Sequence, residues 1–105
     1  MDIQQAMQSP EMQKRMLQLQ EELGSQEISL SVGGGMVEVT MSGLKRVLAL
    51  KIDPEALSGE VDMVEDMIIA AFNGAAEKVD DMVSRRTGEI MAEFSLPPDL
   101  QLPPA

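Results

Sequence analysis

The sequence predicts an α+β protein in which one helix precedes three antiparallel strands and a longer helix follows them. Two changes in hydrophobic periodicity indicate this order. Apolar residues recur every three to four positions up to residue 23 and again from residue 64, but every second position between residues 28 and 52. A chain of 105 residues fits one domain. We therefore expect a single domain over residues 1–105, in which residues 95–105 form an extended, proline-rich tail.

The first helix is predicted to begin at Ser9 and Pro10. A serine can cap the free N–H groups of a first turn, and proline is favoured at the first helical position. The following apolar side chains form a narrow seam, which suits either the core or a helix of another chain: Met12, Met16, Leu19 and Leu23. Gly24 is expected to end the helix in a left-handed conformation.

Three strands are predicted after this helix. Ile28, Leu30 and Val32 alternate with polar residues, and the alternation resumes at Val37 and continues through Val39 and Met41. A phosphate-binding loop at Gly33-Gly34-Gly35 would lead from a strand into a helix, whereas strands flank these glycines on both sides. A hairpin turn is therefore the better interpretation. Ser42-Gly43 forms the next turn, and residues 46–52 form a third strand with Leu48, Leu50 and Ile52 on one side.

The second helix is predicted to follow Asp53-Pro54 and a short helical turn, with Asp62 and Glu65 at capping-box spacing. Its apolar stripe continues for about 30 residues, or about 45–50 Å, whereas a seven-residue strand spans only about 23 Å. The sheet can cover the first half of such a helix. The remaining apolar residues need another partner, and a second copy is the simplest one, so we predict a dimer interface at Val79, Val83, Ile90 and Phe94.

Gly74 lies inside this helix, where glycine costs about 1 kcal/mol relative to alanine. Its neighbours include Ala70, Ala75 and Ala76, which also have small side chains. The pattern predicts a close crossing with the sheet or with a partner helix.

The composition argues against enzymatic and metal chemistry. The chain has no Cys and no His, which removes disulfides and the preferred ligands of zinc and copper. The pairs Asp62/Asp66 and Asp80/Asp81 occupy helix positions expected to face water, without a neighbouring base or nucleophile. We expect no enzyme, no cofactor and no metal site. The absence of a long apolar run and of a signal peptide predicts a cytoplasmic protein without a membrane partner.

Charge limits the choice of partner. The formal net charge is −10 and the acids are concentrated after residue 53, so composition alone does not favour a polyanion such as DNA. The basic residues occur mostly as pairs, which are Lys14-Arg15, Lys45-Arg46 and Arg85-Arg86. Arg86 is expected to pair with Glu89 or Glu93, or to contact phosphates if dimerisation brings the basic pairs together.

Five segments in order resemble the YbaB/EbfC family of bacterial nucleoid-associated proteins. They are QKRMLQLQEEL, MVEVTMSG with the preceding Gly35, KIDPEAL, VEDMIIAAFNGAAEKV and LPPDLQLPP. Each segment is weak alone, and the ordered set covers nearly the whole chain. This sequence departs from the family pattern at Ser42-Gly43, where Asn-Gly is usual, and at Asp99-Leu100, where Gly-Phe is more usual.

The resemblance implies an αβββα protomer that forms a tweezer-shaped homodimer. It also implies DNA binding with little sequence preference, and a role in nucleoid organisation or gene expression, within the nucleoid of the cytoplasm. The basic residues on the helices that would form the tweezer arms are the predicted DNA contacts: Lys14, Arg15, Lys78, Arg85 and Arg86. The alternative is a protein-interaction module of the same fold, with weak or no DNA binding and an unknown protein partner.

Overall fold

A computed structural model describes residues 9–94 and confirms the predicted α+β order. Helix α1 (Pro10–Ser25) precedes strands β1 (Glu27–Val32), β2 (Val37–Ser42) and β3 (Val47–Ile52); a short 3-10 helix (Pro54–Ser58) and helix α2 (Val61–Glu93) follow. The predicted tail at residues 95–105 lies outside the described residues. Within residues 9–94, neither helix is both long and apolar enough to cross a membrane.

Helix α1 begins as predicted, because the Ser9 hydroxyl accepts a hydrogen bond from the Met12 backbone N–H at 3.1 Å. Its predicted seam is buried at Met12, Leu19 and Leu23. The predicted left-handed ending at Gly24 is wrong. The helix continues to Ser25. The next residue, Gln26, has an extended backbone conformation and caps the helix by donating its N–H to the Leu23 carbonyl at 3.2 Å.

The three strands form an antiparallel sheet in the order β1-β2-β3. Strand β2 is central, and its inward-facing Val37, Val39 and Met41 are buried. The hairpin predicted at the three consecutive glycines is confirmed, and these glycines have φ values of 63°, 67° and 92°. Such positive values favour glycine because it lacks a Cβ. The sequence at this turn is therefore explained by backbone conformation.

Gly43 joins the sheet to α1 by close approach. Its backbone N–H donates to the Leu23 carbonyl at 2.9 Å, and a Cβ at Gly43 would lie 2.5 Å from the same oxygen. The left-handed residue of this turn is Lys45, with φ 63°. The buried hydroxyl of Ser42 accepts hydrogen bonds from Leu44 N–H at 3.2 Å and Arg46 N–H at 3.3 Å, which holds the turn in place.

Helix α2 begins after Glu60, whose side chain makes no capping hydrogen bond, so the predicted capping box at Asp62 and Glu65 is wrong. The helix has 33 residues and is therefore about 50 Å long. Its first half packs on β1 and β2. The close crossing predicted at Gly74 is confirmed for the sheet, because the side chain of Leu30 in β1 occupies the space that a Cβ would need.

Two core clusters divide the molecule, whose dimensions are 61 × 22 × 17 Å. We call the sheet and residues 61–79 the body, with a buried cluster of Val37, Val39, Met41, Ala71, Ala75 and Val79. We call α1 and residues 80–94 the arm, with a buried cluster of Met12, Leu19, Leu23, Met82, Ile90 and Met91. Ile28 and Val83 pack against both clusters and connect them.

Candidate nucleic-acid interface

Most of the predicted DNA contacts lie on the two helices of the arm, which run antiparallel. Ion pairs join Arg15 to Glu93 and Glu22 to Arg86, so the start of α1 lies beside the end of α2. The arm therefore brings together four of the five predicted contacts, which are Lys14, Arg15, Arg85 and Arg86. The fifth, Lys78, lies in the last turn of the body and is seven residues before Arg85, which places both on the same side of α2.

Three of these cations are available to an external partner. Lys14, Lys78 and Arg85 are exposed, and no ion pair within residues 9–94 includes them. Exposed ammonium and guanidinium groups can contact phosphate oxygens without reading bases.

Arg15 is held by a carboxylate of the other helix. Its Nε donates to Glu93 Oε2 at 2.9 Å and its Nη2 donates to Glu93 Oε1 at 3.0 Å, while its Nη1 donates to Gln18 Oε1 at 3.1 Å. The hydrogen bond with Arg15 lowers the pKa of Glu93, and the same bond raises the pKa of Arg15. Both side chains remain partly exposed, at 29% and 48%.

Arg86 is held in a similar way. Its Nη2 donates to Glu22 of α1, and its Nε lies 3.9 Å from Glu89 Oε2. The predicted pairing of Arg86 with Glu89 is thus present, whereas Glu93 pairs with Arg15. The role of Glu22 was missed, because nothing in the local sequence shows which residues of a second helix will lie opposite.

The remaining ion pair of the described residues joins the body to the base of the arm. Lys45 Nζ lies 2.7 Å from Asp80 Oδ1, which ties the turn after β2 to α2. Arg46 and Lys51 are exposed on the sheet. These three cations lie outside the predicted contact set.

The excess of acids over bases is largest toward the start of α2. Residues 54–78 contain six acidic residues and one basic residue, Lys78. The pairs Asp62/Asp66 and Asp80/Asp81 are exposed, as predicted. Within residues 9–94 the acids form no group of three or more that could hold a metal ion.

The second half of α2, where a dimer interface was predicted, is already covered within one chain, so its burial does not require a second copy. Val79 and Ile90 are only 0% and 1% exposed within one protomer, and Val83 and Phe94 are partly buried against the same clusters. Helix α1 of the same chain packs on this half of α2. All four residues therefore belong to the core of their own protomer.

One apolar surface without a partner in the described residues lies on β3. Val47, Leu48 and Leu50 are 48%, 51% and 40% exposed; we call these three residues the β3 edge. A helix with its side chains is about 10–12 Å across and strands lie about 4.8 Å apart, so one helix covers roughly two strands. Since α2 packs on β1 and β2, the third strand is left open. The sequence already contains this signal, because three predicted strands are wider than the one helix that packs on them.

The chain is similar to known proteins over most of its length. The model of the YbaB/EbfC DNA-binding family matches residues 1–94. A nucleoid-associated protein of Xanthomonas campestris pv. campestris is 44% identical over 96 residues, covering 91% of this chain and 90% of that protein. One of Xylella fastidiosa is also 44% identical over 96 residues, covering 91% and 89%. The crystal structure of an uncharacterized protein from Helicobacter pylori matches with a TM-score of 0.76 at 25% identity, covering 87% of this chain and 98% of that chain.

Proposed function

The chain belongs to the YbaB/EbfC DNA-binding family, as its motifs predicted, and we propose that it binds duplex DNA as a homodimer through backbone phosphates. The observation that carries this proposal is that the two-helix arm of this chain has Lys14 and Arg85 exposed on its surface. The curated relatives are nucleoid-associated proteins. We extend that location to this chain and propose a non-enzymatic role in nucleoid organisation or gene regulation.

The chemistry of the arm favours phosphate contacts over base readout. Its exposed basic side chains are flexible point charges and forks on helix surfaces, which can contact phosphate oxygens without entering a groove. Binding of this kind depends on counterion release and has little sequence preference. The proposal therefore predicts a strong dependence on salt.

Titration of duplex DNA by fluorescence anisotropy tests this proposal. Wild-type affinity should fall steeply with salt, and Lys14→Gln/Arg85→Gln should weaken binding and reduce the slope of log K against log salt by about 0.9 per lost phosphate contact. The control Ser31→Asp/Asn73→Asp makes an equal change in net charge at exposed positions away from both the arm and the β3 edge. Absence of wild-type binding at about 50 mM salt, where such contacts are strongest, would contradict the proposal.

The β3 edge supports the dimer. It combines exposed apolar side chains with the unpaired backbone of an edge strand, an arrangement that promotes association with another strand unless it is covered. We propose that two protomers pair at this edge, which leaves both arms pointing away from the interface.

Analytical ultracentrifugation tests the dimer. The wild type should sediment at twice the protomer mass of 11.4 kDa, whereas Leu48→Glu/Leu50→Glu should be monomeric because it buries charge at the interface. Leu17→Glu is the control, since Leu17 is 62% exposed on the arm. A monomeric wild type at micromolar concentration contradicts the dimer, and a dimeric double variant contradicts this interface.

A protein-interaction module of the same fold is the second candidate. The observation that favours it is the acidic segment at residues 54–78, which also exposes Leu57 and Val61 at 66% and 72%. Such a surface suits a basic, apolar segment of another protein. This candidate gains support if the wild type binds no DNA at low salt and the substitution Leu57→Glu/Val61→Glu abolishes binding to a synthetic basic amphipathic peptide.

A further inference from the structure

The two arginines between the helices of the arm are already bound to glutamates. Glu93 accepts from both Nε and Nη2 of Arg15, and Glu22 accepts from Nη2 of Arg86. A phosphate is recognised by arginine through the same fork of N–H groups as a carboxylate. A phosphate can therefore take the place of either glutamate only by displacing it.

We propose that Glu22 and Glu93 compete with DNA phosphates for Arg86 and Arg15, and thereby set how tightly the arm binds DNA. This inference rests on the proposed DNA-binding function and adds its regulation. The glutamates act through the arginines and do not themselves contact DNA.

The geometry allows this exchange. The paired side chains are 29–48% exposed, and exposed ion pairs are weak enough to open in water. The guanidinium of Arg15 is occupied on both sides, because its Nη1 also donates to Gln18. A phosphate that approaches Arg15 must break the contact with Glu93 and then tolerate the released carboxylate nearby. Both effects lower affinity.

The two ion pairs also lie on one side of the arm. Arg15 and Glu22 are seven residues apart on α1, and Arg86 and Glu93 are seven residues apart on α2. Seven residues make nearly two helical turns, so each helix presents its two partners in line. One DNA backbone passing along this side would meet both arginines. In sequence, the exposed Lys14 and Arg85 directly precede them.

Replacing each glutamate by the uncharged glutamine, which has nearly the same shape, tests the competition. Glu22→Gln and Glu93→Gln should each raise DNA affinity by about two- to fivefold, which is the range expected when one exposed ion pair no longer has to be broken. Glu21→Gln is the matched control, because it removes the same charge from the same helix and Glu21 has no arginine partner within residues 9–94. Circular dichroism melts should show that all three variants remain folded.

A double-mutant cycle shows whether Glu93 acts through Arg15. In an Arg15→Gln background, Glu93→Gln should raise affinity no more than Glu21→Gln does. The same cycle with Arg86 and Glu22 is an independent second test. Persistence of the full Glu93 effect without Arg15 would overturn the mechanism in favour of general charge repulsion.

The outcomes separate this inference from the function on which it rests. If the wild type binds DNA and both glutamine variants bind like Glu21→Gln, only the competition is refuted. If neither the wild type nor Glu21→Gln binds at low salt but Glu22→Gln/Glu93→Gln does, the competition is supported while the proposed function of the wild type is refuted. If neither the wild type nor this double variant binds at low salt, both proposals are refuted.

Discussion

The body and the arm share one helix but are held together by different side chains. In the body, α2 contributes small residues, and Ala71 and Ala75 are fully buried against the valines of β2. In the arm, the same helix contributes the larger Met82, Ile90 and Met91, with ion pairs to α1 along the edge. The fully buried side chains of α2 are therefore smaller against the flat sheet than against the round helix, while the larger Met67, Ile68 and Phe72 are only partly buried in the body.

The body and the arm also differ in their ion pairs. Three of the four ion pairs of residues 9–94 lie in the arm, and the fourth joins Lys45 to Asp80 at its base. No ion pair of residues 9–94 joins two residues of the body. We therefore expect salt and pH to act first on the arm, and substitutions in each region to have separable effects.

Ile90→Ala should have the largest effect. Ile90 is 1% exposed in the arm cluster, and removing a buried isoleucine to alanine lowers the free energy of unfolding by about 2–5 kcal/mol. Urea denaturation measures the loss, with Leu17→Ala as an exposed control expected within about 0.5 kcal/mol. Hydrogen exchange should show lost protection in α1 before β2. Equal loss in both would mean that arm and body unfold as one unit.

Gly43→Ala should have the next largest effect, because it acts where the two regions meet. The added methyl would be 2.5 Å from the Leu23 carbonyl oxygen, and a clash with backbone forces a shift that costs about 1–3 kcal/mol. Gly88→Ala is the matched control: no atom lies within 4 Å of its Cβ position. It should stabilise α2 by up to about 1 kcal/mol. Thermal melts of the two variants should move in opposite directions.

The caps of the two helices should respond in opposite directions as well. Ser9→Ala removes the hydrogen bond to Met12 N–H and should destabilise the arm by about 1 kcal/mol. Glu60 caps α2 without a side-chain hydrogen bond, so Glu60→Asp, which keeps the charge and shortens the side chain, should stabilise the body by up to about 1 kcal/mol. A loss of stability in Glu60→Asp would show that its backbone does not suit a side-chain cap.

The smallest effect is the pH dependence of the Arg15–Glu93 pair. The pKa of Glu93 is lowered from 4.5 in the folded arm, so its contribution to stability is present above 4.5 and is lost as the pH falls through the lowered value. Wild type should melt above Glu93→Gln at neutral pH, and the difference should vanish in strong acid. A difference that persists in acid would rule out the ionised pair as its cause.

Local patterns in the sequence were sufficient for the order and type of elements. The Ser9-Pro10 start, the alternation from Ile28 to Met41 and the glycine turn each depend on neighbouring residues, and each is present. The errors at Gly24 and at Asp62 concern helix ends, where several residues can satisfy the same backbone groups.

Long-range partners could not be read from the same patterns. The stripe ending in Ile90 correctly indicated burial, but it carried no information about whether α1 or a second chain would cover it. The Glu22 partner of Arg86 is 64 residues away in sequence. The predicted contact residues Lys14 and Arg85 are exposed on the arm, whereas the competing glutamates depend on how α1 aligns with α2.

Because α2 is unbroken, a small tilt of the helix at the sheet produces a larger movement at the tip of the arm. The helix runs through both regions without interruption from Val61 to Glu93, so the arm has no hinge where it leaves the sheet. About 20 residues separate Ala75 from the end of the helix, a distance of about 30 Å, and a tilt of about 10° at the sheet would move the tip by about 5 Å. In a dimer paired at the β3 edge, small adjustments of that interface would therefore set the gap between the two arms.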